Sequence, residues 1–210
     1  MRDITGGVCA PEGFMANGIH AGMRKNKSKK DLSLIYSKEP CIAAATYTQN
    51  KVKGAPLIVT KKHLKDGIAQ AIICNSGNAN TCNSNGVELA TETSELLAKE
   101  LGIKEEDVIV ASTGVIGQPM VIDPFKEHMH ELVAGLKKDG SDDAVQGIMT
   151  TDTKPKEYAV EFVIDGQIAH IGAIAKGSGM IHPNMATMLA FVTSDVDISK
   201  EMLDIMIHEV

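Results

Sequence analysis

Two kinds of hydrophobic spacing occur along the 210-residue chain, and together they predict a mixture of helices and strands. Apolar residues recur at the helical period over 87–101 and 123–136, with Asp123 as the expected cap of the second helix. Shorter helices are expected to begin with Ser141 and Ser199 as their caps. Short apolar runs bounded by turn residues are typical of strands. Such runs lie at 31–37, 41–48, 57–60, 69–74, 108–111, 157–164 and 167–174, and short strands with tight turns are expected within 1–23.

The order of these elements indicates the fold class. The runs at 157–164 and 167–174 enclose Asp165-Gly166, a dipeptide typical of a tight hairpin turn. Elsewhere hairpins and helices follow one another without a strict strand–helix repeat. We therefore predict a mixed α+β fold, an α/β sandwich with mixed sheets. Neither GxGxxG nor GxxxxGK[ST] occurs, so the sequence carries no nucleotide-binding signature.

Composition narrows the class of protein. The net charge of −6 argues against a nucleic-acid binder, and no apolar run is long enough to cross a membrane. The N-terminal residues include no apolar signal-peptide region, so the cytoplasm is the expected location. The four cysteines form no CxxC pair and have no histidine at zinc-finger spacing, which predicts reduced thiols and no metal site. No resident cofactor is expected.

The stretch 176–190 concentrates the residues that could carry chemistry. Lys176 is followed by Gly-Ser-Gly and a Pro-Asn pair, and Thr187 stands immediately before the apolar run 188–192. We interpret Thr187 as a nucleophile. A threonine that becomes N-terminal by chain cleavage carries its own base, because its α-amine titrates near ~7.7–8.0 and can accept the hydroxyl proton. The alternative is a residue at the start of a strand whose hydroxyl is satisfied locally.

The same hydroxyl could cut the chain. Attack of Thr187 on the carbonyl of Ala186 gives an ester by an N-to-O shift, and water then hydrolyses that ester. The small side chain of Ala186 leaves this carbonyl uncrowded. The tetrahedral oxyanion needs N–H or O–H donors, and the turn Ser112-Thr113-Gly114, directly after a predicted strand, offers both.

Two loops and a pair of histidines have competing interpretations. Residues 75–80 follow a predicted buried strand and form either a structured turn or the lining of a site at the strand's carboxyl end. The basic segment 24–30 is interpreted as a solvated turn, with a weak attraction for an anionic substrate as the alternative. His128 and His130 fall on different faces of a predicted helix, so no ligand role is expected.

Five separated motifs give the chain a family resemblance. They are GIHAG at 18–22, NSGNAN at 75–80, ASTGVIG at 111–117, IMTTDT at 148–153 and KGSGMIHPNMATML at 176–189. The last motif resembles the self-cleavage motif of the ornithine acetyltransferase family, the bifunctional glutamate N-acetyltransferases of arginine biosynthesis. The other motifs stand in the order typical of that family, so the resemblance covers essentially the whole chain.

The resemblance implies an activity and a set of site residues. It implies self-cleavage between Ala186 and Thr187, followed by a ping-pong reaction that passes acetyl from N-acetylornithine to Thr187 and then to glutamate. Some members of the family also use acetyl-CoA as the donor. Thr113 and Gly114 match the oxyanion-hole positions. The positions that match the substrate contacts are Thr150, Lys176 and Thr187. A lysine suits this role as a cation for a substrate carboxylate.

The resemblance also implies an assembly. Family members form heterotetramers of two α and two β chains, and they share their fold with some N-terminal-nucleophile aminopeptidases. On this basis, 1–186 is the α-chain domain and 187–210 is the start of a truncated β chain. Family members are longer than this chain, and their C-terminal half supplies further substrate contacts.

Two other hypotheses remain open. One is a self-processing aminopeptidase of the same fold, although the residues that flank Thr187 favour the acetyltransferase. The other is a catalytically incomplete fragment that only folds or assembles. An intact bond between residues 186 and 187, without activity, would support the fragment.

Overall fold

The computed structural model describes residues 1–177 and 188–209, which form two four-stranded sheets and five α-helices. The strands are β1 (Arg2–Ile4), β2 (Phe14–Ile19), β3 (Leu32–Ile42), β4 (Ile68–Asn75), β5 (Val108–Ser112), β6 (Lys156–Ile164), β7 (Gln167–Lys176) and β8 (Leu189–Ser194). The helices are α1 (Ala55–His63), α2 (Gly86–Leu101), α3 (Asp123–Ala134), α4 (Ser141–Ile148) and α5 (Lys200–Glu209). The predicted mixed α+β sandwich is confirmed.

The two sheets differ in strand direction. One sheet has the order β1-β6-β7-β8 and is antiparallel throughout. Its central hairpin turns at Asp165 and Gly166, whose φ angles of 50° and 77° confirm the predicted tight turn. The other sheet has the order β2-β3-β4-β5, and its β4–β5 pair is parallel. A parallel pair needs a crossover connection, which α2 supplies, and it brings the carboxyl ends of β4 and β5 to one edge.

Helices cover both faces of the mixed sheet. On one face, Ile73 of β4 shares a buried cluster with Leu97 of α2 and Leu132 of α3. On the other face, α4 contacts both sheets, and its Val145 shares a second cluster with Ile174 of β7. The strand β4 is therefore buried on both sides, as its continuous apolar run predicts.

The predicted strand at 57–60 is wrong, because these residues lie in the helix α1. Pro56 in the first turn suits a helix start, and a four-residue apolar run fits either a strand or one helical turn. Long-range contacts favour the helix. The Thr60 hydroxyl donates to the Val110 carbonyl at 2.8 Å and accepts from the Val110 N–H at 3.0 Å, which fixes α1 against β5.

The predicted strand at 41–48 is mostly wrong. Only Cys41 and Ile42 are paired, and they belong to the end of the long strand β3, which also contains residues 32–37 of the predicted strand at 31–37. The register shifts between Tyr36 and Cys41, so β3 is irregular where the sequence indicates a break. Residues 43–48 lie outside the strands.

The helix starts follow the sequence with small differences. Ser199 Oγ accepts the Met202 N–H at 3.2 Å, which confirms its predicted cap of α5. Asp123 is the first residue of α3 rather than its cap. Ser141 does not cap α4, because its Oγ accepts the Val8 N–H at 3.1 Å instead.

Candidate active site

The candidate site lies where β4 and β5 end at the same edge of the mixed sheet. Asn75 and Ser112 are partners in the parallel register, and the Asn75 Nδ2 donates to Ser112 Oγ at 2.7 Å. The Thr113 N–H donates to the Asn75 carbonyl at 2.9 Å, so the pairing continues into the predicted oxyanion turn. Thr113 itself is buried.

The two loops that follow these strands are in close contact. Gly114 has a φ of +125°, and a Cβ atom placed on it would lie 2.6 Å from the carbonyl carbon of Gly77. The Val115 N–H donates to the Gly77 carbonyl at 3.3 Å, and the Ala79 N–H donates to the Val115 carbonyl at 2.9 Å. Only glycine permits this approach at position 114.

The loop at 75–80 is a structured turn that also borders the site. Asn75 Oδ1 accepts the N–H groups of Gly77 at 3.1 Å and Asn78 at 2.9 Å. Asn78 Oδ1 in turn accepts the Asn80 N–H at 2.8 Å. The asparagine side chains therefore replace the sheet partners that this loop lacks. The loop is both a structured turn and part of the lining of the site, so the two interpretations drawn from the sequence are compatible.

A second group of predicted site residues follows α4. The Thr150 N–H donates to Asp152 Oδ2 at 3.2 Å. Asp152 Oδ1 accepts both the Gly177 N–H at 2.7 Å and the Lys156 ammonium at 2.8 Å. Burial alone would raise the pKa of the Asp152 carboxyl, but these hydrogen bonds and the Lys156 charge hold that pKa below its usual value. Asp152 is therefore a fixed anion that links Thr150 to the end of β7.

Lys176, the last residue of β7, is 2% exposed. Burial lowers the pKa of its ammonium group, and the nearby Asp152 carboxylate opposes that shift. The thiol of Cys74 is fully buried in the same region, and burial raises its pKa to about 12. Cys74 is consequently not a nucleophile at neutral pH.

Arg24 belongs to the basic segment 24–30, which the sequence alone favours as a solvated turn. The structure corrects this interpretation, because Arg24 is half-buried and lines the same cleft as Thr150 and Lys176. Its Nε and Nη2 donate to the Ser76 carbonyl at 2.9 and 2.7 Å, and Nη2 also donates to the Met149 carbonyl. These contacts cross 52 and 125 residues of sequence, so no local pattern predicts them.

One open cleft of about 2250 Å³ is lined by the four described residues that were predicted for the site. These residues are Thr113, Gly114, Thr150 and Lys176. The two other predicted residues, Ala186 and Thr187, lie outside the described part of the chain. Met188, which follows Thr187 in sequence, also lines the cleft, and its neighbour Leu189 pairs with Lys176.

Among the described residues, none accepts a hydrogen bond from the Gly114 N–H or from the Thr113 hydroxyl of the predicted oxyanion turn. The Thr113 N–H, in contrast, is already bound to the Asn75 carbonyl. The donors available at this turn therefore include one backbone N–H and one hydroxyl, and both are kinds of donor that an oxyanion hole can use.

The remaining expectations concern histidines and membranes. His128 and His130 lie on α3, where Nδ1 of each contacts a glutamate, Glu131 at 3.1 Å and Glu100 at 2.7 Å. Neither lines the cleft. Within residues 1–177 and 188–209, no helix has the length and apolar character needed to cross a membrane.

Known proteins with similar sequences include an arginine biosynthesis protein and a glutamate N-acetyltransferase. The chain is 49% identical over 197 residues to the arginine biosynthesis bifunctional protein ArgJ of Symbiobacterium thermophilum, covering 93% of this chain and 49% of that protein. It is 44% identical over 214 residues to the glutamate N-acetyltransferase of Methanocaldococcus jannaschii, covering 100% of this chain and 52% of that protein. The chain thus spans about half the length of the curated relatives it matches.

Solved structures of an ArgJ protein and of an ornithine acetyltransferase also match the chain. The fold matches the ArgJ protein of Bacillus halodurans with a TM-score of 0.82 at 38% identity, covering 88% of this chain and 97% of that one. It matches the ornithine acetyltransferase of Mycobacterium tuberculosis, solved with ornithine, with a TM-score of 0.78 at 34% identity, covering 88% and 99%.

A more distant match concerns the fold alone. The L-aminopeptidase D-Ala-esterase/amidase of Ochrobactrum anthropi, a variant of the Ntn hydrolase fold, has a TM-score of 0.53 at 10% identity, covering 97% of this chain and 68% of that one. The family whose model matches the sequence is the ArgJ family, over residues 15–210. The resemblance noted in the sequence is confirmed, and the chain belongs to the ArgJ family.

Proposed function

We propose that this chain is the N-terminal half of a self-cleaving acetyltransferase that moves acetyl from N-acetylornithine to glutamate. The observation that carries the proposal is that Thr113, Gly114, Thr150 and Lys176 all line one cleft. The described residue next to Thr187 in sequence, Met188, lines the same cleft. A nucleophile, an oxyanion hole and a cation for a substrate carboxylate are the groups that acyl transfer between amino acids requires.

The first reaction is cleavage of the chain. The Thr187 hydroxyl attacks the Ala186 carbonyl and passes its proton to the departing amide nitrogen, which gives an ester and a free α-amine. Water hydrolyses the ester, leaving a carboxylate on Ala186 and the hydroxyl on Thr187. The α-amine of Thr187 then serves as the base for later turnovers, because its pKa lies near ~7.7–8.0.

Acetyl transfer follows in two matched steps. The Thr187 hydroxyl attacks the acetyl carbonyl of N-acetylornithine, the α-amine accepts its proton, and ornithine leaves as the protonated product. The α-amine of glutamate then attacks the acetyl-threonine ester, which releases N-acetylglutamate and restores the hydroxyl. The Gly114 N–H and the Thr113 hydroxyl stabilise the oxyanion in both steps, and removing one such donor costs about 10²–10³ in kcat.

Substrate binding uses the charges of the cleft. Thr150 and Lys176 contact the amino-acid substrate, with the Lys176 ammonium opposite its carboxylate. Such a pair is stronger here than at the surface, because Lys176 is almost completely buried. Acetyl-CoA is a further donor in this proposal, and no resident cofactor or metal is needed.

The lengths of the similar proteins support division into two chains. The curated relatives are about twice as long as the region this chain matches, whereas the matched solved chains are covered almost completely. The solved chains are therefore about half as long as the curated relatives. We propose domains at 1–186 and from 187 onward, a C-terminal half that completes the substrate site, an α2β2 assembly and a cytoplasmic location.

Two alternatives are kept open. The fold is shared with an aminopeptidase at 10% identity, which supports the fold and not the activity. A catalytically incomplete fragment is the other alternative, since the chain spans about half of its curated relatives.

Denaturing mass spectrometry of fresh protein tests the proposal, with Thr187→Ala as the control. Separation into fragments that end at Ala186 and begin at Thr187, in the wild type only, is the expected result. One uncleaved mass would leave two explanations, and adding the C-terminal half separates them. Cleavage that still fails with that half present contradicts the role of Thr187, and cleaved protein that releases N-terminal amino acids from peptides favours the aminopeptidase.

A further inference from the structure

One peptide group beside the candidate site is held from both sides by charged side chains. The Met149 carbonyl accepts a hydrogen bond from Arg24 Nη2, and the N–H of the same peptide group, on Thr150, donates to Asp152 Oδ2 at 3.2 Å. A cation therefore holds the oxygen and an anion holds the nitrogen. This arrangement polarises the amide along its dipole and fixes its plane.

Each charged side chain also binds a second segment of the site. Arg24 donates twice to the carbonyl of Ser76, the residue before the Gly77 that contacts Gly114. Asp152 accepts the N–H of Gly177, the residue after Lys176, at 2.7 Å. The Met149–Thr150 peptide is thus connected through two side chains to both the oxyanion turn and the end of β7.

A buried carboxylate holds the backbone of the loop that carries Arg24. The carboxylate of Asp31 is fully buried and accepts the Ala21 N–H at 2.6 Å and the Arg24 N–H at 2.8 Å. The backbone of Arg24 is therefore anchored at the edge of the mixed sheet where β4 ends, since the Asp31 carbonyl accepts the Ser76 N–H at 2.9 Å. A planar guanidinium can then bridge two carbonyls at once, which a lysine ammonium on a flexible stem does less well.

We propose that Arg24 and Asp152 are positioning residues for acetyl transfer, and that they act by fixing the Met149–Thr150 peptide. They hold the Thr150 side chain in register with Gly114 on one side and Lys176 on the other. This inference rests on the proposed function, in which Thr150 contacts the substrate. Neither Arg24 nor Asp152 needs to touch the substrate, because each is engaged with backbone groups.

A double-mutant cycle between Arg24→Gln and Thr150→Ala tests the proposal. The protein is the chain co-expressed with the C-terminal half that its relatives carry, and kcat and KM are measured for transfer from N-acetylornithine to glutamate. Each single variant is expected to lower kcat/KM by about 10- to 100-fold, because small misplacements near a reacting centre are costly. If Arg24 acts through Thr150, the double variant is no slower than the slower single variant.

The chain offers a matched control. Arg2, the other arginine, forms an exposed ion pair with Glu161 on the edge of the antiparallel sheet, and Arg2→Gln is expected to leave kcat and KM unchanged. Arg24→Lys keeps the positive charge, so it is expected to recover thermal stability more fully than kcat. Asp152→Asn tests the other side of the same peptide, and it should also be non-additive with Thr150→Ala.

The outcomes separate the inference from the proposed function. Wild-type protein that transfers no acetyl contradicts the proposed function, and the positioning role falls with it. In an active protein, Arg24→Gln and Thr150→Ala effects that multiply would show that Arg24 acts independently of Thr150, which would overturn the inference. If Arg24→Gln does not fold, Arg24→Lys and Asp152→Asn decide, and full activity in both would overturn the inference.

Discussion

Substitution of Gly114 by alanine tests the contact between the two loops of the candidate site. The φ of +125° is a region that glycine occupies easily, and other residues pay about 1–3 kcal/mol to adopt it. The new methyl group would also lie 2.6 Å from the carbonyl carbon of Gly77, 2.7 Å from its oxygen and 2.9 Å from the Asn78 nitrogen. All three are backbone atoms, so the overlap adds about 1–3 kcal/mol.

The loop contains its own control for backbone strain. Gly117 has a φ of +75°, and a Cβ atom there would meet nothing within 4 Å. Gly117→Ala therefore carries only the cost of a left-handed backbone, about 1–2 kcal/mol. Gly114→Ala is expected to lose about 2–6 kcal/mol in total, and the difference between the two variants isolates the contact with Gly77.

Urea unfolding followed by circular dichroism measures both free energies. In the active assembly, Gly114→Ala should also lower kcat by about 10²–10³, because the Gly114 N–H moves away from the oxyanion, whereas Gly117→Ala should lower it little. Equal stability of the two variants would refute the account of the contact. Equal activity would refute the assignment of Gly114 to the oxyanion hole.

Two further predictions concern stability. Asn75→Ala removes the acceptor of the Gly77 N–H and the donor to Ser112. Because buried groups lose their partners, it should lower the free energy of unfolding measured in urea by about 2–4 kcal/mol. A loss below about 1 kcal/mol would contradict this account of the loop. Hydrogen bonding to Asp195 raises the pKa of His170, so the stability from this pair is present below the unfolded histidine pKa of ~6.5 and is lost as pH rises through the folded value. Burial raises the pKa of Asp195, but the hydrogen bonds from His170 outweigh it and lower that pKa, so the pair is also lost in acid. Asp195→Asn should therefore cost more stability near pH ~5–6 than near pH ~8 in thermal melts, and a cost independent of pH would contradict the pairing.

Local chemistry explains which parts of the fold could be predicted from the sequence. The turn at Asp165 and Gly166, the helix α2 and the buried strand β4 all depend on turn residues or on hydrophobic periodicity. The helix α1 could not be predicted, since its short apolar run fits both structures and its orientation depends on Thr60 bonding to β5. Contacts with segments that are distant in sequence determine that these residues form a helix.

The candidate site also has parts that the sequence predicts and parts that are visible only in the fold. The turn at Gly114 could be recognised from its residues, because a glycine after a strand suggests an unusual backbone, but its contact with Gly77 is visible only in the fold. The assignment of Thr150 and Lys176 as substrate contacts came from the family resemblance. Arg24 had no signal beyond its charge, because its contacts with Ser76 and Met149 join segments that are far apart in sequence.

The central claim is that Thr187 carries the acetyl group between the two substrates. The most direct measurement is the mass of the fragment that begins at Thr187, after the cleaved protein has been mixed with N-acetylornithine without glutamate and quenched. The account predicts a gain of one acetyl group, located on Thr187 by fragmentation, and its loss when glutamate is added. A fragment that never gains acetyl while N-acetylglutamate still forms, or that gains it on another residue, would contradict the account.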